Sequence, residues 1–303
     1  KDLQAADEAL VKAAGFTDGD LARLLRTTEP GDDEGAEDPS EALQGKWATE
    51  AGQIWVVPSK SVPGRSHRLL CGDSTDALAV ERLRAGDTWR LMVTDPPYGV
   101  EYDPSWRVKL DGGARALGKV ENDDKADWSS VWALWAPDAA YVWHASMMTA
   151  VVLHSLESAG LQHRANIIWR KQHFQLSRGD YHWQHEPCWY AVRKGCKSGW
   201  CGDRTQSTIW DISNNTAFGA STDEGDARTG HGTQKPIECM ARPMRNHFEP
   251  GTIVCDPFLG SGTSLVAAER DRRICYGAEL SPGYVAVILE RLAKMGLEPR
   301  LET

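Results

Sequence analysis

Residues 91–100, LMVTDPPYGV, carry an apolar run straight into Asp95, Pro96, Pro97 and Tyr98. A carboxylate and a phenol ring three residues apart, joined by two prolines, make a stiff corner. The prolines hold φ near about −65° and remove two N–H donors, so the carbonyls of the corner meet no local competitor. Such a corner presents proton acceptors beside a flat aromatic face.

A second stretch, TIVCDPFLGSGTSLVAAERDRRICYGAEL at 252–280, runs a strand into Asp256, Pro257 and Phe258, then a turn with Gly260 and Gly262. A helix opens at about Thr263. Two glycines at this turn let backbone N–H groups approach a ligand and leave a helix N-terminus facing it. The next strand ends at Glu279, a carboxylate suited to two ribose hydroxyls. No Gly-Lys-Ser/Thr follows, so a P-loop is rejected. A nicotinamide or flavin turn has the same glycine spacing, and a G-x-G alone suits a structural turn equally well. Asp256 tips the choice, because a carboxylate there repels a pyrophosphate and can meet the ammonium of a methionine moiety. S-adenosylmethionine is the expected ligand.

Both corners need strands to end at them. Expected strands are 54–57, 67–72, 90–94, 139–144, 165–170, 188–192, 252–256 and 274–278; expected helices are 76–85, 129–136, 147–159, 236–247, 263–271 and 283–295. Short β-rich runs alternating with helices predict an α/β fold, a mostly parallel twisted sheet with helices on both faces. Ligands of such sheets sit beyond the C-terminal strand ends, where strand order reverses. Residues 2–26 have helical periodicity, and the acidic, Gly- and Pro-punctuated run 28–41 reads as a solvated linker. The expected organisation is an N-terminal helical appendage and acidic linker over 1–50, then one catalytic domain over 51–303.

TDPPY and DPFLGSGT together resemble the catalytic and cofactor signatures of the amino-group (N6-adenine/N4-cytosine) DNA methyltransferases. Their order here, catalytic first and cofactor last, is similar to the circularly permuted β class. The resemblance covers about residues 52–296. HRLLCGDST (67–75) is similar to the segment before that class's catalytic strand, and HGTQKP (231–236) to the one before its cofactor strand. Residues 1–60 more weakly resemble the linker of phage- or prophage-type methylases fused behind a ParB-like domain. Since Lys1 opens the chain, a processed or truncated product lacking that domain is expected.

The resemblance implies a Rossmann-like S-adenosylmethionine-dependent methyltransferase fold with Asp95, Pro96, Pro97 and Tyr98 as the catalytic residues. It implies Asp256, Pro257, Phe258, Gly260, Gly262 and Thr263 around the methionine end of the cofactor, with Glu279 on its ribose. Lys235 and Pro236 would close over the methionine, and Asp73 would lie near the adenine. Cytosine-N4 members usually carry Ser where Asp95 stands, which tilts the reading to adenine N6 in double-stranded DNA, as in restriction–modification. The alternatives are N4-cytosine methylation, or a non-catalytic DNA-binding or assembly protein that keeps the pocket. RNA and small-molecule methylation are mildly disfavoured.

Composition leaves room for DNA. The chain carries −9 overall, but residues 1–50 hold 13 acids against 5 bases, and the remainder is nearly neutral. Between 161 and 208 eight Lys/Arg face three Asp/Glu, and phosphate attraction depends on the local face. The long segment 99–127 is expected to be an active-site loop, and 170–232 a target-recognition insertion. Arg170, Lys171, Arg178, Arg193, Lys194, Lys197 and Arg204 are the candidate DNA contacts, and most of the 13 tryptophans are assigned to the core. Seven cysteines without paired spacings imply a reducing, cytoplasmic setting. His182, His185, Cys196 and Cys201 are spaced too loosely for a structural zinc site, so no metal is expected. No apolar run approaches the roughly 20 residues that span a bilayer. A homodimer is compatible with this reading.

Overall fold

The computed structural model describes residues 39–99, 125–175, 180–213 and 234–302. The run 2–26 expected to be helical, nearly all of the run 28–41 expected to be a linker, most of the segment 99–127, and residues 176–179 and 214–232 of the expected target-recognition insertion, Arg178 and His231 among them, lie outside these.

Among the described residues, strands β1 (Ile54–Pro58), β2 (Ser66–Cys71), β3 (Leu91–Thr94), β4 (Ala139–Trp143), β5 (Leu161–Gln175), β6 (Trp183–Arg193), β7 (Ile209–Asp211), β8 (Ile253–Asp256), β9 (Ile274–Glu279) and β10 (Arg300–Leu301) form one sheet. Its order is β10-β1-β2-β9-β8-β3-β4-β6-β5-β7. The five strands β2, β9, β8, β3 and β4 pair in parallel, so their C-terminal ends share one side of the sheet.

The central strands are short and wholly apolar until their last residue. LMVT of β3 and IVCD of β8 are buried at every position, as a parallel strand covered on both faces must be. Helices α1 (Pro39–Trp47), α2 (Ala77–Arg84), α3 (Ser129–Trp135), α4 (Thr149–Ser158), α5 (Ile237–Asn246), α6 (Thr263–Arg270) and α7 (Pro282–Lys294) supply the cover. Leu91 and Val93 pack into one core with Met244, Leu265 and Ile288 of α5, α6 and α7. Met92 packs into the other with Leu83, Trp132 and Leu156 of α2, α3 and α4. The expected Rossmann-like α/β architecture is the one observed.

Three features differ from the sequence expectation. Strands β5 and β6 are longer than 165–170 and 188–192. Their pairing with each other runs from Leu161↔Arg193 to Gln175↔Trp183, whereas β4 stops at Trp143↔Cys188. The hairpin therefore overhangs β4 by roughly 15 Å at about 3.3 Å per residue. Strands β7 and β10, three and two residues long, are too short to leave a periodic signal. Helix α1 begins inside the run read as linker. It packs on α7, where Lys46 Nζ and Trp47 Nε1 donate to Glu290 Oε2 at 2.6 and 3.1 Å. Trp189 belongs to the core as expected, but Trp200 is 40% exposed. No helix among the described residues is long and apolar enough to cross a membrane.

Candidate active site

Strands β3 and β8 lie side by side, with β4 continuing outward from β3 and β9 from β8. That is the reversal point of an open α/β sheet, where a crevice opens beyond the strand ends. The Asp95–Tyr98 corner follows β3 and the Asp256–Thr263 turn follows β8, so the topology brings both sequence signatures to one place. They are bonded together: Thr94 Oγ1 donates to Asp256 Oδ1 at 2.6 Å.

On the β3 side, Pro96 is buried and Asp95 is partly open. Tyr98 OH donates to Asp95 Oδ1 at 2.7 Å, and Trp128 Nε1 donates to the Pro97 carbonyl at 3.3 Å. The chain leaves the corner through Gly99 at φ +69°, where a Cβ would stand 2.8 Å from the backbone nitrogen of Ala126. Only glycine fits that passage.

Lys235, expected from sequence to close over the methionine, reaches this corner. Its Nζ lies 2.7 Å from Asp95 Oδ2, 2.7 Å from Tyr98 OH and 2.9 Å from Glu186 Oε2. Glu186 Oε1 in turn pairs with Lys171 Nζ. Burial by itself opposes the Lys235 ammonium, but the adjoining Asp95 and Glu186 carboxylates hold its pKa above the usual range. Burial likewise works against the Glu186 anion, yet Lys235 and Lys171 pull its carboxyl down to about 2. The Tyr98 hydroxyl is pushed well up, first by burial and then by the two carboxylates. Its hydroxyl bonds fix the orientation of the ring.

On the β8 side, Asp256 is only 1% exposed. Besides Thr94 it accepts from Ser264 Oγ and, at 3.0 Å, from Phe258 N. The sequence reading set this carboxylate against a methionine ammonium; in the fold it is enclosed by three protein donors and ties the two corners together. Burial raises its carboxyl from 3.8 to about 6, against the pull of the two hydroxyls. The folded chain thus holds this proton more tightly than the unfolded chain does, and stability falls as the group ionises with rising pH. From this group wild-type stability should drop by about 2 kcal/mol between about pH 4 and pH 7. Asp256→Asn should lack that component, which urea denaturation at the two pH values checks.

The glycine turn is closed by Glu279, whose two oxygens accept from Gly260 N at 2.8 Å and Ser281 N at 2.9 Å. Gly262, at φ +79°, caps α6, and a Cβ there would meet Ile288 at 2.9 Å. Phe258, after Pro257, packs edge-on against Trp128 at 4.7 Å, and Thr263 Oγ1 accepts from Arg291 at 3.4 Å. Asp73 is exposed in an Asx turn to Thr75 N. It adjoins the same corner, since Gly72 N donates to the Glu279 carbonyl. Pro236 caps α5. Glycine turn, helix N-terminus, Glu279 and Asp73 make a donor and acceptor set that fits a nucleoside cofactor.

The candidate DNA residues do not form one face. Arg170 and Lys171 lie on the overhanging hairpin at the site end. Arg170 is exposed but held in a two-pronged pair with Asp211 at 2.5 and 2.9 Å. Lys171, 5% exposed, is turned inward to Glu186 rather than outward to phosphate. Arg193, Lys194 and Lys197 sit at the opposite end of β6. Arg193 donates to the carbonyls of Pro137, Ala159 and Trp132 and so fastens loops. Lys194, Lys197 and Arg204 are exposed. His182 and His185 likewise lie on the hairpin arm, with Cys196 and Cys201 beyond the far end of β6.

Glu186 was missed. Its one signal is an acid opening the apolar strand EPCWYAV in a basic region, which reads as charge balance until its partners are known.

Solved structures share this architecture. The M1.HpyAVI–SAM complex aligns with a TM-score of 0.54 and 19% identity, covering 74% of this chain and 98% of that one. The PvuII DNA methyltransferase (cytosine-N4-specific) aligns with a TM-score of 0.54 and 18% identity, over 77% and 88%. At such identities the likeness is one of fold. The Type II methyltransferase M.Cfr9I of Citrobacter freundii is 28% identical over 155 residues, 46% of this chain and 47% of that protein. The chain spans less than half the length of the curated relatives it matches. The family described as DNA methylase (N6_N4_Mtase) matches residues 89–290, and to that family the chain belongs.

Proposed function

We propose that the chain transfers a methyl group from S-adenosylmethionine to the exocyclic amine of a base in DNA, with adenine N6 as the acceptor. The observation that carries this reading is the Thr94–Asp256 hydrogen bond, which joins an acceptor-bearing corner to a nucleoside-type glycine turn across adjacent strands. When bound, the cofactor supplies an electrophilic methyl on a sulfonium. Glu279, Asp73 and the Gly260–Gly262 turn are the residues that would hold it.

An exocyclic amine is a poor nucleophile because its lone pair is delocalised into the ring. The Asp95 carboxylate and the Pro96 carbonyl offer acceptors for its two protons, which draws the nitrogen toward a tetrahedral shape. Each Asp95 oxygen already takes one protein donor, and a carboxylate oxygen has a second lone pair for the amine. Fixed acceptors aimed at developing positive charge act as an oxyanion hole does with the sign reversed. The Tyr98 ring, fixed through its hydroxyl, offers a face on which an extruded base can stack. Asp95, where cytosine-N4 enzymes usually have Ser, supports adenine. The hairpin overhang, with Tyr181 91% and Trp183 44% exposed, is the DNA-facing arm in this reading.

Incubating duplex DNA with labelled cofactor and digesting it to nucleosides tests the proposal. N6-methyladenine is the expected product, N4-methylcytosine would correct the base, and an unlabelled digest would refute the activity. Glu279→Ala should weaken cofactor binding roughly tenfold or more, because both its ligand contact and its hold on Gly260 are lost. Calorimetry reads this directly, and unchanged affinity would remove Glu279 from the cofactor site.

A further inference from the structure

From Asp95 of the acceptor corner a charged chain continues through Lys235, Glu186 and Lys171, three residues to which the proposed transfer assigns no use. Lys171, Glu186, Lys235 and Asp95 alternate in sign along a chain of contacts, two cations and two anions. Lys171 and Lys235 are 6% and 7% exposed at the side chain, Glu186 and Asp95 21% and 20%. Among the described residues, the thiols, imidazole and phenol beside the cluster add no charge, while Asp256 on the β8 side is a further carboxyl that Asp95 helps to raise. Burial raises the Cys188 and Cys239 thiols, and burial lowers the His144 imidazole to about 4. The Tyr98 phenol is held neutral in the same way. The four charges, two of each sign, sum to zero.

Their places in the fold are specific. Glu186 stands opposite Trp169 at the base of the overhanging hairpin, and Lys171 follows Trp169 by two residues, on the same face of β5. Glu186 Oε2 is the third group around the Lys235 ammonium and lies 3.3 Å from Tyr98 OH. Buried ion pairs are often replaceable by apolar side chains without loss of stability, so stability alone does not explain such a cluster against a reactive carboxylate.

We propose that Glu186 is a positioning residue: with Lys171 as counter-charge, it holds the Lys235 ammonium between itself and Asp95, setting the acceptor carboxylate and the Tyr98 ring before the base arrives. The inference rests on the methyl-transfer reading. It also links the hairpin arm to the acceptor through two ion pairs. Without Glu186 the Lys235 ammonium loses one of its two carboxylate contacts in the cluster, and the geometry of the acceptor changes with it. A displacement of about 1 Å at a reacting group can cost about 100-fold in rate.

The test compares wild type, Glu186→Gln and the charge-balanced Lys171→Met/Glu186→Gln in methyl transfer to duplex DNA, cofactor binding and thermal unfolding. Glu186→Gln should lose roughly 10- to 100-fold in kcat with cofactor Kd within about threefold of wild type. The double variant should regain thermal stability, since one cation and one anion remain, yet keep the low kcat. Wild-type kcat in either variant overturns the proposal, as does loss of cofactor binding in Glu186→Gln. If Glu186→Gln does not fold, the double variant carries the comparison; its misfolding too would mark the cluster as structural support and overturn the proposal. Should wild type itself label no DNA, the methyl-transfer reading fails separately. The positioning is then read in 15N-lysine-labelled protein, where Glu186→Gln must shift the Lys235 ammonium resonance, and an unshifted resonance overturns it.

Discussion

Replacing Asp95 by alanine is expected to lower the single-turnover rate of methyl transfer by roughly 10²- to 10⁴-fold, the range for a positioned proton acceptor. Cofactor affinity should stay within a few-fold. The separation follows from the fold, because Asp95 belongs to the β3 corner whereas the Gly260–Glu279 contacts belong to β8 and β9. The side chain also pairs with Lys235 at 2.7 Å, so the variant leaves Glu186 as the carboxylate of the cluster that Lys235 and Lys171 share. A loss of stability should therefore accompany the loss of rate. Asp95→Asn tests this in part: its amide oxygen still accepts a hydrogen bond, but its NH₂ faces the Lys235 ammonium if the oxygen points to the base. Its rate should fall with Asp95→Ala rather than with wild type. Rapid-quench assays with labelled cofactor and calorimetry check both quantities. Loss of cofactor binding with the rate would move Asp95 from the acceptor site to the cofactor site.

The corners were legible in the sequence for a physical reason. A central parallel strand is apolar on both faces, so LMVT and IVCD stand out as continuous runs, and an acid at their ends marks the strand boundary and the crevice together. The glycine turn was legible because Gly262 adopts a positive φ that other residues avoid. The overhang of β5 and β6 was not, since Arg170–Gln172 and Gln184–Glu186 are polar and continue a ladder that only the partner strand specifies. Lys171 and Arg193 looked alike as basic residues. One is drawn inward by Glu186, and the other is spent on three carbonyls contributed by distant loops. Asp256 ends β8 as the apolar run before it implies, but the hydroxyl that meets its carboxylate belongs to Thr94, 162 residues away. Side-chain types at a strand end are local information, whereas the partners that turn a charge inward are not.

Lys235→Met should show how much the cluster contributes to stability. Methionine keeps an apolar stem beside the Tyr98 and Trp143 rings, which lie 5.2 and 5.9 Å from Nζ, while removing the charge. Glu186 and Asp95 then face each other with only Lys171 to balance them. Breaking a buried pair by removing one partner typically costs about 3–5 kcal/mol, and a loss of that order is expected at neutral pH. The pH dependence has a definite sign. Glu186 sits at about 2 in the fold against an ordinary 4.5, so its contribution is present above about pH 4.5 and lost as pH falls toward 2. Lys235, raised above its ordinary 10.5, contributes below that value and loses its contribution only as pH rises through the raised value. The deficit of Lys235→Met should therefore be flat from about pH 5 to 10 and shrink on acidification, where Glu186 takes up its proton. Urea denaturation across that range measures it. A deficit that grows in acid would mean that Lys235 is not the cation holding Glu186 ionised, and the acceptor corner would have to be set by Lys171 and the Tyr98 hydroxyl.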